Sequence, residues 1–303
     1  MSKSKRNTLL FTLLLFFLLS FSLYSLDVGI NFRIGNLAFR NDRTANDTTF
    51  NGTNYFYGLS LFTTASISDN FSFESGFFND AILKNISYTI FNYRQKFITI
   101  GVGPFFGFFN STSTILKSGI STSILLELPG IVFLRFRSDS TIGGRLIEIG
   151  DYIQERNNIS AGYYVKNAIC SLNLSSKKYI QKASSTIETV DSLTEYSFKT
   201  EVFQKNMPYT IDIAFAYQTL KKEFITSTTT TKHTLNSIIL KTKLKFFIEE
   251  YLTLYTDLES SIYTFGEDAL LGISNPGPGG YLFRLNTGVT LNLDKIVKLN
   301  RIF

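Results

Sequence analysis

Between Tyr209 and Ser260 three runs of residues alternate apolar and polar side chains, and this two-residue period limits the stretch to paired strands. In the first run Tyr209, Ile211, Ile213, Phe215 and Tyr217 take one face, and Thr210, Asp212, Ala214, Ala216 and Gln218 take the other. The second run sets Ile238, Leu240, Leu244 and Phe246 against Lys241, Lys243 and Lys245, and the third sets Leu252, Leu254 and Leu258 against Tyr255, Asp257 and Glu259. One face is greasy and the other charged. Such a sheet has two homes: a soluble protein with its polar face in water, or a membrane barrel with its apolar face in lipid and its charges around a wet lumen.

The same pattern covers most of the 303 residues. Val28, Ile30, Phe32 and Ile34 alternate with Gly29, Asn31 and Arg33; Ile98, Ile100 and Val102 with Thr99, Gly101 and Gly103; Val132, Leu134 and Phe136 with Arg135 and Arg137. Thirty Phe, sixteen Tyr and no Trp, with few of the Ala, Glu and Leu blocks of long helices, point to an all-β chain rather than a disordered or helical one. Pro104 predicts a bulge or weakened pairing near one rim.

Lys3, Lys5 and Arg6 precede an apolar run from Leu9 to Leu19 and then Ser20, Ser22 and Ser25, the layout of a secretory signal peptide over residues 1–25. The run is short for a membrane span, with a retained anchor as the alternative. Removing those three cations takes the formal charge from +6 to +3, too balanced to call for nucleic acid. The single cysteine, Cys170, excludes an intrachain disulfide.

Connections alternate between short turns, near Ser68, Arg94, Pro129, Lys166, Met207 and Glu249, and longer polar loops. This predicts a transmembrane antiparallel up-and-down β-barrel over residues 26–293, followed by a tail at 294–303. The count is about fourteen strands if residues 71–93 form a hairpin and about twelve if they do not. The long connections are read at Arg40–Asn54, Thr141–Asp151, Lys177–Ser192, Lys221–Lys232 and Thr264–Gly280. A soluble ring this wide would leave a void that side chains cannot fill, although a two-layer sandwich would avoid it.

At the carboxyl end Asn286, Gly288, Leu291 and Leu293 follow the spacing polar, any, glycine, two of any kind, hydrophobic, any, hydrophobic. On this motif and the strand layout the chain resembles diderm outer-membrane β-barrel proteins over nearly all its mature length. Its Asn-, Lys-, Ile- and Phe-rich composition suggests a spirochaete-like source. The resemblance implies that these four residues form an assembly signal read by the barrel-assembly machinery, that outer-membrane lipid surrounds the barrel, and that both termini face the periplasm. Leucines stand where the family usually places aromatics.

The strand parity assigns to the lumen Arg33, Glu74, Glu127, Arg135, Arg137, Lys166, Glu195, Lys199, Glu201, Asp212, Lys241, Lys243, Lys245, Asp257, Glu259 and Arg284. Opposite charges on neighbouring strands approach within about 5 Å and pair. The functional expectation is a porin-like channel or transporter for small hydrophilic solutes, with anions favoured by the three lysines, Arg135 and Arg137. A loop folded into the lumen would plug it, and Thr264–Gly280 is the expected candidate. The second reading is a surface-exposed structural or adhesive barrel binding host ligands through its long loops. Catalysis is not expected: His233 is the only histidine, and Ser237 stands about 13 Å along the strand from it. No motif calls for a cofactor or metal.

Overall fold

The computed structural model describes residues 25–35, 56–110, 116–143, 146–203, 207–265 and 283–295. These residues form fourteen strands: β1 (Ser25–Gly35), β2 (Phe56–Ser66), β3 (Phe71–Asp80), β4 (Lys84–Gln95), β5 (Ile98–Phe108), β6 (Leu116–Leu128), β7 (Val132–Thr141), β8 (Tyr152–Val165), β9 (Ala168–Lys182), β10 (Glu188–Phe203), β11 (Tyr209–Ile225), β12 (Thr230–Glu249), β13 (Leu252–Phe265) and β14 (Phe283–Asn292). Each is antiparallel to its sequence neighbours, and β1 also pairs with β14 from Asp27↔Asn292 to Gly35↔Arg284. The sheet is therefore a closed barrel in chain order, the arrangement that leaves no backbone edge in lipid. Residues 71–93 form the β3–β4 hairpin, which fixes the larger of the two expected strand counts.

Alternation decides which way each side chain points. Ile98, Ile100 and Val102 of β5 lie outside beside Ile120, Ile124 and Leu126 of β6, with Ile100 directly opposite Ile124. Outward apolar residues continue around the ring, among them Phe32, Leu59, Leu134, Ile159, Phe198, Phe215, Leu258 and Leu285. Ile100 is 56% exposed and Phe215 54%. Soluble monomers rarely leave contiguous apolar patches of more than a few hundred Å² in water, so a band that encircles the barrel is a lipid-facing surface. The sandwich reading falls with it, because there is one ring and no second layer.

Three expectations change. Residues 177–192 are mostly strand, with only 183–187 connecting β9 to β10, and residues 221–232 narrow to a connection at 226–229. Past the lipid band the outer face no longer has to be apolar, so the alternation ends while the ladder continues through Asp191↔Lys222 and Lys222↔His233. Pro104 sits in mid-strand rather than at a rim. The β4–β5 ladder runs from Ile86↔Gly107 to Tyr88↔Phe105, skips Thr89 and Ile90 opposite Gly103 and Pro104, and resumes at Phe91↔Val102.

Of the carboxyl-terminal motif, Asn286, Gly288 and Leu291 lie in β14, and Leu293 begins a short helical turn just beyond it. A Cβ on Gly288 would stand 2.6 Å from Ile30 O and 2.6 Å from the Tyr255 hydroxyl, so glycine is what lets β1, β13 and β14 close the ring at this point. The leader, the Arg40–Asn54 loop, residues 266–282 of the expected plug and residues 296–303 lie outside the described residues.

Candidate functional site

The lumen is crossed by the tip of the β3–β4 hairpin. Ala81, Ile82 and Leu83 fold inward and are 7%, 1% and 0% exposed. Two local features allow this. β3 pairs with β2 only from Ser60↔Phe78 to Ser66↔Ser72, so Asn79 and Asp80 leave the wall. The tip is then self-supported: Asp80 Oδ1 accepts the N–H groups of Ile82 (2.9 Å) and Leu83 (3.0 Å), an Asx turn, and Lys84 takes φ 62°.

Apolar and polar contacts seat the tip against the far wall. Ile82 packs with Tyr152, Tyr179, Leu193, Leu220 and Leu235, inward residues of β8 to β12. Leu83 packs with Ile86, Tyr88, Ile90 and Phe105. Burying a side chain such as Ile82 stabilises this placement by about 1.5–3 kcal/mol. Gln154 of β8 donates to Leu83 O, and Asn110 clasps Asn85 through two bonds of 3.0 and 3.1 Å.

Ion pairs fix the tip on both flanks. Asp80 Oδ2 lies 2.5 Å from Lys177 Nζ of β9 and 3.8 Å from Arg33 Nη1 of β1. Lys84 Nζ lies 3.9 Å from Asp191 Oδ2 of β10, and Lys222 of β11 lies 3.5 Å from Asp191 Oδ1. Desolvated pairs such as these hold only when each charge keeps its partner.

Towards the end with the short turns the lumen holds a cavity of about 640 Å³. Its wall carries Glu74, Arg135, Arg137, Glu195, Lys199 and Lys241 among Asn92, Asn158, Asn173 and several serines. Arg137 Nη1 meets Glu74 Oε1 at 2.6 Å, its Nε meets Asp139 at 3.2 Å, and its guanidinium lies 3.9 Å over the Tyr88 ring. Arg156 also reaches Asp139. Lys199 bridges Asp212 (2.9 Å) and Glu201 (3.3 Å), and Lys245 joins Glu201 at 3.4 Å. Lys241 sits 2.6 Å from Glu195 and 3.5 Å from Glu259, which also takes Arg284.

The expected lysine ladder is thus largely neutralised. Lys241 and Lys245 are paired, and Lys243 stands in register between Asp212 and Asp257 with its Nζ 5.1 Å over the Tyr255 ring. Arg135 differs: it is exposed to the cavity, and no carboxylate of the described residues lies within ion-pair distance. Lys166 does not line the lumen, because it lies exposed in the turn between β8 and β9. Glu127 accepts the Tyr164 hydroxyl at 2.5 Å near the short-turn rim. The sequence reading missed Asp80, Lys84, Asp139, Arg156, Lys177, Asp191 and Lys222. The apolar run Ala81-Ile82-Leu83 between two opposite charges was the signal for the tip.

A closed antiparallel ring with an apolar outer wall and an ionic lumen defines a transmembrane β-barrel of the bacterial outer-membrane type. No protein-family profile matches the chain, and no curated protein matches it. Solved structures share its outline at low identity. OmpT, an outer membrane protein of Vibrio cholerae folded in vitro, has TM-score 0.44 at 7% identity, covering 88% of this chain and 96% of that one. An outer membrane channel from Pseudomonas putida F1 has TM-score 0.45 at 11% identity, covering 88% and 95%. The KdgM porin in complex with disordered oligogalacturonate has TM-score 0.41 at 8% identity, covering 88% and 98%.

Proposed function

We propose that the chain is an outer-membrane channel for small hydrophilic solutes, constricted by the β3–β4 tip and biased towards anions at Arg135. The observation that carries this reading is the polar, charge-lined cavity of about 640 Å³ inside the ring, where a soluble fold would place a packed core. Compensated charges form most of the wall, and among the described residues lining this cavity Arg135 is the cation without an ion pair. The short-turn end is the periplasmic one, as in other barrels of this membrane. Planar-bilayer recording of residues 26–303 tests the reading: discrete steps with an anion-directed reversal potential in a salt gradient support it. Folded barrels that never conduct would sink it. Display of long loops is the weaker reading, since residues 177–192 and 221–232 are mostly strand.

A further inference from the structure

The Asp80 carboxylate is gripped by cations that belong to the walls, not to the tip. Lys177 comes from β9 and Arg33 from β1, so both remain in place if the tip moves. Arg33 is also under-used: its Nε is buried without a partner, and its Nη1 reaches Asp80 only at 3.8 Å. A free carboxylate, with both oxygens available, can take an arginine fork through Nε and Nη together. Asp80 cannot, because Oδ1 is committed to the N–H groups of Ile82 and Leu83.

We propose that Arg33 and Lys177 form a binding site for small carboxylates, that Asp80 fills this site as an internal stand-in, and that an arriving solute carboxylate releases the tip and opens the lumen. The inference rests on the channel reading. The tip is built to leave: β3 has already parted from β2 beyond Ser60, and the β4–β5 ladder is broken at Thr89 and Ile90. On the other flank Asp191 keeps Lys222 when Lys84 withdraws, so release orphans no acid there. The ligand's advantage over Asp80 is the second oxygen on Arg33, and only that differential contact can shift the equilibrium.

The test is single-channel recording of residues 26–303 with acetate replacing chloride at equal ionic strength and pH 7. Acetate is expected to raise the open-to-closed ratio about tenfold, the response to a differential affinity of the same factor. Asp80→Asn is expected to show the raised ratio in chloride and to gain little from acetate. Lys177→Gln should also be open and should have lost the acetate response, whereas Lys84→Gln should be more open and keep it. Conductance with no acetate response, or a response that survives Lys177→Gln, overturns the inference and leaves the channel reading standing. Barrels that fold by heat-modifiable mobility yet conduct in no variant overturn both.

Discussion

Arg137 Nη1 and Glu74 Oε1 lie 2.6 Å apart although β7 and β3 are separated by β4, β5 and β6 around the ring. The pair spans a chord of the lumen, and the guanidinium rests on Tyr88 of the inturned hairpin. It therefore ties the base of the tip to the wall at β7. Removing the guanidinium leaves Glu74 unpaired and bares Tyr88, while Asp139 keeps Arg156. Arg137→Ala should destabilise the folded barrel by about 2–4 kcal/mol, read as a lower urea midpoint in lipid vesicles.

Arg135, one alternation away, should behave in the opposite manner. It makes no ion pair with the described carboxylates and faces the cavity. Arg135→Glu should alter stability by less than about 0.5 kcal/mol. The reversal potential of the conducting barrel should change sign towards cations, and an unchanged sign would remove Arg135 from the selectivity argument.

Ile100 tests the outer wall. It is 56% exposed in the apolar band, two residues into β5 and opposite Ile124. Ile100→Arg should lower folding stability in vesicles by about 1–2 kcal/mol if the band faces hydrocarbon. A soluble protein would tolerate the same change almost without loss.

Ile82 tests the apolar seat of the tip. Its truncation in Ile82→Ala opens a hole among Tyr152, Tyr179, Leu193, Leu220 and Leu235. The expected loss is about 2–4 kcal/mol of tip anchoring. Longer open dwells in bilayer recordings, with the barrel still heat-modifiable, would report it.

Asp151 ends the 142–151 connection and offers a pH dependence outside the lipid band. Burial raises its pKa, but the Lys117 ammonium at 2.5 Å and the N–H groups of Ile147 and Tyr152 outweigh this, so the net direction is below the ordinary carboxylate value. A depressed pKa contributes stability above the unfolded value, near pH 4, that is lost as pH falls through the folded one. Limited proteolysis should therefore nick this connection faster below about pH 4. In Asp151→Asn the rate should be fast throughout and nearly flat with pH.

Strand identity was legible in the sequence wherever lipid imposes a rule. Ile98, Ile100 and Val102 must face hydrocarbon, so their alternation survives and dates the strand unambiguously. The rule lapses at the two long connections that proved to be mostly strand. In residues 177–182 and 221–225 each face meets water or protein, and polarity no longer reports direction although the ladder goes on. The tip stayed hidden for a related reason: Ile82 looks like part of a connection because its apolar partners, Tyr152 to Leu235, are far away in sequence. Lumen parity placed Arg137, Glu195, Lys241 and Glu259 on the inner face, but it could not reveal pairing across the chord. Which charges neutralise one another depends on ring closure, and closure is a property of the whole chain.

The seam between β1 and β14 carries a consequence for biogenesis. Asp27 must find Asn292, and Gly35 must find Arg284, so the first strand to be synthesised waits for the last. Until they meet, two raw edges face the bilayer with their N–H and C=O groups unpaired, a state hydrocarbon does not tolerate. A chain interrupted before residue 283 would consequently have no half-inserted resting form. It would keep an open sheet edge, which makes ring closure the condition for residence in lipid.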